Sequence, residues 1–259
     1  MAIRLFDASP TTLRRAFKKR SAGEPRATDG CSDMLREAIV SGELPHGIRL
    51  PAERRLAERF GVNRVTIRAA LQRLEAEHLI TVRQGSGYVV GDYRRVGTLD
   101  LVTTLAAQAR DSATRTTILR DLLMVRRQLA RAVLERLMEH ASERGLLEVE
   151  AAIERFAAIA ERRAKVEDLA RADLDVVAAL VAATESEVLQ LCLNPVAALA
   201  LRLPRLCEAM YREPKSNVLA FRAVLDLLRK GNRASIEAAI DLLSERDEAT
   251  LRFLERKGK

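Results

Sequence analysis

Asn63, Arg64, Thr66 and Arg68, four polar residues able to grip an anion or a base edge, lie within six positions of the stretch "FGVNRVTIRAALQRLEAE". If that stretch is helical, Ile67, Ala70, Leu71 and Leu74 form its buried stripe, and none of the four falls on it. Arg64 and Arg68 are then four apart on one face, where like charges repel by a few tenths of a kcal/mol. A phosphate or a guanine edge turns that repulsion into two attractive contacts, because a guanidinium donates bidentately to either. Asn and Thr reach bases or phosphates from the same place. A solvated cationic face has no need of such small polar residues between its arginines. Arg54, ten residues before Arg64, suits a phosphate contact, and Arg55 competes for that role.

These residues need a frame to hold them. "CSDMLREAIVSGELPHG" sets Met34, Leu35, Ala38 and Ile39 at a helical period, and Gly42, Pro45 and Gly47 then stop it. "LPAERRLAERFG" follows, with Pro51 suited to a first helical turn, Leu56, Ala57 and Phe60 in one stripe, and Gly61 as a C-terminal stop. Asn63 can cap the next helix, which runs to about Glu77. "LITVRQGSGYVV" has a β-rich half on each side of Gly85 and Gly87 and reads as a small hairpin. Glycines there let backbone approach a groove edge closely. Helix, tight turn, helix and hairpin is the order of a winged helix-turn-helix, whose second helix offers its N-terminal residues to the major groove.

From about Thr98 onward the strand signals vanish. "TTILRDLLMVRRQLARAVLERLMEH" places Ile118, Leu122, Val125, Leu129, Val133 and Leu137 at steps of three and four. Similar patterns recur near 146–161, 166–184, 187–210, 215–230 and 233–255, with breaks at Gly145, near Thr184, at Pro214 and at Gly231. Pro195 and Pro204 start or kink the helix near 187–210. The expected fold is therefore mainly α. A basic extension over 1–28 leads to a winged helix-turn-helix over 29–91 with a β-hairpin wing. "GDYRRVGT" is the linker, and 98–256 form an antiparallel bundle of six or seven helices.

Charge supports this division. Residues 1–97 hold 18 Lys/Arg against 11 Asp/Glu, a net of +7, and the remaining 26 against 25 leave +1 of the total +8. A basic domain on a near-neutral one implies a polyanionic partner for the first. With no tryptophan, three tyrosines and six phenylalanines, the chain has no aromatic ladder for stacking single-stranded bases. Duplex DNA is the expected partner. Cys31, Cys192 and Cys207 form neither a CxxC pair nor a zinc spacing, which fits a reduced cytoplasmic setting. No run of eighteen apolar residues spans a membrane, and no apolar core of a signal peptide follows the first charges.

The stretch "LPAERRLAERFGVNRVTIRAALQRLEAEHLITVRQGSGYVV" closely resembles the N-terminal domain of GntR-family bacterial transcription regulators. Its motifs are the PxER start, the GVxRxTxRxAL turn and helix, and the glycine wing. The resemblance places Arg54, Arg64, Thr66, Arg68 and Gly85 at DNA-contacting positions, with Asn63 and Gln84 where residue type varies and tunes the operator. The helical remainder, through "LRDLLMVRRQLARAVLERL", resembles the C-terminal domain of the FadR subfamily. Many members hold a divalent metal there through an Asp and three His.

On that pattern Asp173 takes the Asp position, but Val177, Phe221 and Glu245 take the three His positions. A metal is therefore not expected, and no other cofactor is. Val and Phe make the cavity more apolar, as in the fatty acyl-CoA-responsive members. The expected site is then a bundle cavity for an acyl chain or similar apolar ligand, with Arg126 near its polar end.

These readings imply a homodimeric repressor or activator on a pseudo-palindromic operator, controlled by a small effector such as a fatty acyl-CoA. The other reading is an effector-independent DNA-binding or architectural protein, marked by strong salt dependence and little sequence preference. No Ser/His/Asp, Cys/His or phosphate-loop arrangement supports an enzyme.

Overall fold

The computed structural model describes residues 27–83, 87–231 and 233–257. The chain divides into two compact units, Met1–Gln108 and Ala109–Lys259. In the first, α1 (Ala27–Val40), α2 (Glu53–Phe60) and α3 (Arg64–Ala76) precede a hairpin of β1 (Ile80–Arg83) and β2 (Gly87–Val90). Two short helices follow, α4 (Tyr93–Val96) and α5 (Leu101–Ala107).

The turn between α2 and α3 is set by two residues. Gly61 takes φ 69°, and both its amide and that of Val62 donate to the Ala57 carbonyl, at 2.9 and 3.1 Å. A side chain would be strained in that left-handed geometry, so glycine ends the helix. Asn63 then caps α3. The two helices bury Leu56, Phe60, Ile67, Leu71 and Leu74 with Leu35 of α1. Truncating one of these, as in Leu71→Ala, is expected to cost about 2–5 kcal/mol.

The hairpin is antiparallel, with Ile80 opposite Val90 and Arg83 opposite Gly87. A third segment edges it. Leu50 N–H donates to Tyr88 O and Val90 N–H to Ile48 O, each at 2.9 Å. The wing is thereby tied to the loop that leads into α2.

Residues 98–108 were expected in the helical domain, but they complete the first unit. Leu101 is buried in its core, and Leu105 and Tyr93 pack against it. The apolar side of α5 requires cover, which α1 provides. The segment expected as a linker therefore contains α4.

Among the described residues the second unit holds seven helices. They are α6 (Ser112–His140), α7 (Glu143–Ala160), α8 (Val166–Ala182), α9 (Glu187–Leu201), α10 (Pro204–Met210), α11 (Pro214–Lys230) and α12 (Arg233–Lys257). Pro204 and Pro214 each stand at the first position of a helix, where the missing N–H matters least. Pro195 sits inside α9. Gly145 was expected to break a helix but lies within the first turn of α7, which Ser142 caps through the Gly145 amide at 3.1 Å. It is there for proximity. A Cβ on Gly145 would sit 3.0 Å from the Ala183 Cβ, just past the end of α8.

Candidate DNA interface and effector cavity

The N-terminal end of α3 is organised by its cap. Asn63 Oδ1 accepts from the Thr66 amide at 2.8 Å and from the Thr66 hydroxyl at 2.9 Å. The cap fixes both side chains and leaves the Asn63 amide N–H pair to meet an acceptor. Arg64 and Arg68 are exposed beside them. Among the described residues Arg64 forms no ion pair within 4 Å.

Arg68 does. Its Nε lies 3.1 and 3.2 Å from the two carboxylate oxygens of Glu53, and its Nη2 lies 2.8 Å from one of them. The hydrogen bond from Arg68, helped by the charges of Arg68 and Arg64, lowers the Glu53 pKa, and Glu53 in turn raises that of Arg68. The repulsion expected between the two arginines is thus already offset inside the protein. Fifteen residues separate Glu53 from Arg68, and helical periodicity does not connect them. The acidic residue in "PAER" was the available signal. Among the described residues Arg54 pairs with Glu58, at 3.4 Å, with both side chains exposed. Gln84 and Gly85 lie outside the described residues.

In the second unit a cavity of about 150 Å³ opens between α6, α8, α9, α10, α11 and α12. Leu122, Leu134, Leu180, Val196, Val224 and Leu243 are typical of its wall. Its few polar residues are Arg126, Asp173, Tyr211 and Arg246. Arg126 and Arg246 also line a second, more polar pocket of about 80 Å³ with Arg212, Glu213, Asn217 and Asp247.

Asp247 is buried and shared by two arginines, through Arg126 Nη2 and through Arg127 Nη1 at 2.7 Å. The Nε of Arg126 is buried without a hydrogen-bond partner. Burial raises the pKa of Asp173 against the opposing charges of Arg126 and Arg246, and its carboxyl group is hydrogen-bonded to Tyr211. Burial lowers the pKa of Arg246, and Asp173 opposes that shift. The nearby Cys207 thiol is pushed up to about 11, chiefly by burial, so it is a poor nucleophile.

Two family models divide the chain along these lines. The bacterial regulatory proteins of the gntR family match residues 28–90, and the FCD domain matches residues 121–245. The chain thus carries the DNA-binding domain of the GntR family of bacterial regulatory proteins, paired with an FCD effector-binding domain.

Its relatives include the HTH-type transcriptional regulator Mce2R of Mycobacterium tuberculosis, 51% identical over 67 residues, which are 26% of this chain and 28% of that protein. The chain thus matches little more than a quarter of the length of that relative. The fatty acid metabolism regulator protein of Pectobacterium atrosepticum is 29% identical over 197 residues, 74% of this chain and 77% of the relative. A solved structure of Lar, described as controlling the Listeria monocytogenes agr system, is similar with a TM-score of 0.57 at 18% identity. That match covers 88% of this chain and 96% of the other, and it shows the fold alone.

Within this FCD cavity, Arg126, Asp173, Val177 and Phe221 come together. Phe221 also meets the Phe156 ring edge-on, with centroids 6.2 Å apart. Glu245 does not join them. It is exposed, and Leu242, Leu243 and Arg246 share the inward side of α12 in its place. The reason is rotational, since one residue on a helix turns the side chain by about 100°. Sequence reasoning missed Arg246 because a charged residue interrupts the apolar period there. The donor set does not fit the divalent metal common in this subfamily. Val177 and Phe221 carry no lone pair, Glu245 faces away, and Asp173 is left as the one carboxylate of the four positions.

Proposed function

We propose that this chain is a cytoplasmic, homodimeric transcription regulator without a catalytic step. It reads a pseudo-palindromic duplex through α3 and the wing, and its operator affinity is set by an apolar-tailed effector, such as a fatty acyl-CoA, in the FCD cavity. On this reading Arg64 and Arg68 contact the duplex from the major groove, with Asn63 and Thr66 beside them and Arg54 on phosphate. Gln84 and Gly85 act from the wing. The observation that carries the effector reading is the cavity itself, a largely apolar chamber with arginines at one end. The relatives named fatty acid metabolism regulator support the choice of tail.

An effector controls DNA affinity only through different affinity for the DNA-competent and incompetent states. The test is in two steps. Selection of bound fragments from random duplex DNA gives the operator, and an acyl-CoA is then titrated against operator binding. The expected result is a paired half-site and an affinity that changes with ligand. An unchanged affinity at saturating acyl-CoA overturns the choice of ligand.

A further inference from the structure

The guanidinium groups of Arg126 and Arg246 line the polar end of the cavity, and that of Arg127 joins them through Asp247. They meet at most two carboxylates, because the Glu213 carboxylate in the polar pocket pairs with Arg212 at 3.0 Å. Asp247 is divided between Arg126 and Arg127, and Asp173 is buried beside Tyr211. Three positive charges against at most two negative ones leave at least one in excess, in surroundings where an unbalanced charge is costly. Arg126 has also spent Nη2 on Asp247 while its Nε stays buried and unpartnered. The position of this excess matters as much as its sign. Arg126 and Arg246 line both the apolar chamber and the polar pocket beyond it, so they stand where a tail ends and a head begins.

We propose that the effector is an apolar chain ending in a compact carboxylate, and that Arg246 together with the free edge of Arg126 grips that carboxylate. This rests on the apolar-tailed effector reading and specifies its head. A carboxylate supplies the missing negative charge and two acceptors, which match a guanidinium fork and the orphaned Nε–H. A thioester brings a neutral carbonyl to the same point, and its nearest phosphate lies a long flexible arm away.

The test is calorimetric titration of the full-length chain near neutral pH with laurate, dodecanol, dodecylamine and lauroyl-CoA. Their tails match and only the heads differ. Laurate is expected to bind about tenfold or more tighter than dodecanol, with dodecylamine weakest. Arg246→Leu should bring laurate down to the level of dodecanol while dodecanol binding is kept, and Arg246→Lys should restore part of the preference. The wild-type comparison of laurate with dodecanol decides the matter even if a variant folds poorly.

Equal binding of laurate and dodecanol overturns the carboxylate head. So does lauroyl-CoA binding tighter than laurate and unchanged by Arg246→Leu, which leaves the apolar-tail reading standing. Binding by none of the four overturns both.

Discussion

Arginines are used in both units, under opposite conditions. On α3, Arg64 and Arg68 are exposed, one of them held by Glu53 and both offered to solvent. In the FCD cavity, Arg126 and Arg246 lie among leucines and valines, with an orphaned N–H and too few carboxylates. Water screens the first pair, so they can wait for a polyanion at little cost. The second pair has no such screen, and its excess charge selects a partner of opposite sign and small size. On the proposed reading the head recognises by charge and shape at a surface, and the FCD domain by completing a buried charge balance.

The largest expected effect would break the surface half of that contrast. Arg64→Ala with Arg68→Ala should lower operator affinity by about a hundredfold or more, since each bidentate arginine contact is worth about 1–3 kcal/mol. The helical circular dichroism should be unchanged, because neither side chain is in the core. Fluorescence anisotropy on a selected operator measures this, and a double variant that binds normally removes α3 as the reading helix. The salt slope should also fall, by about one for each phosphate that is no longer neutralised.

Next comes the buried half. Val177→Trp fills the chamber from α8. It should abolish the response of operator affinity to ligand while ligand-free DNA binding stays within about twofold of wild type. A variant that still answers to ligand places the effector outside this cavity.

How far each region could be read from sequence follows from the same contrast. The head is organised by local rules. Gly61 ends α2, Asn63 caps α3, and Ile67, Ala70, Leu71 and Leu74 are buried at the expected period. What escaped there was Glu53, because its contact with Arg68 crosses between helices. In the FCD domain the helices were legible, yet the site was only partly so. Val177 and Phe221 were placed on the wall, but Glu245 was chosen where Arg246 is the residue that points inward. Periodicity locates apolar faces, and it fails where a charged residue is buried on such a face. Gly145 shows a related limit. A glycine needed for close approach to Ala183 looks, in sequence, the same as a glycine that ends a helix.

A smaller effect tests the charge balance. Burial raises the Asp173 pKa in the folded protein. The unfolded chain releases that proton in the ordinary carboxylate range, whereas the folded chain keeps it to higher pH. The folded state therefore binds more protons between the two values, and stability falls as pH rises through that window. Asp173→Asn removes the penalty. Its Tm should match wild type at low pH and exceed it by a few degrees on the alkaline side, as read by thermal melts at a series of pH values. The reverse order, with wild type gaining stability as pH rises and the Asn variant falling below it, means that Asp173 is ionised and paired with Arg246. The excess positive charge would then be at its smaller value.

The smallest effect concerns Glu53, and it sharpens the comparison most. If Glu53 holds Arg68 ready for a base edge, Glu53→Gln keeps the size of the side chain and weakens the grip on the guanidinium. The surface charge also becomes more positive by one. Affinity for random duplex should rise slightly and its salt slope steepen, because the electrostatic part of binding gains a charge. Affinity for the operator should rise less, or fall, since an arginine free to move loses entropy when it is fixed on a base. The ratio of operator to random affinity therefore drops by a few fold while neither affinity changes greatly. An unchanged ratio means that Glu53 merely neutralises Arg68. A higher ratio means that Glu53 competes with the operator for the same donors.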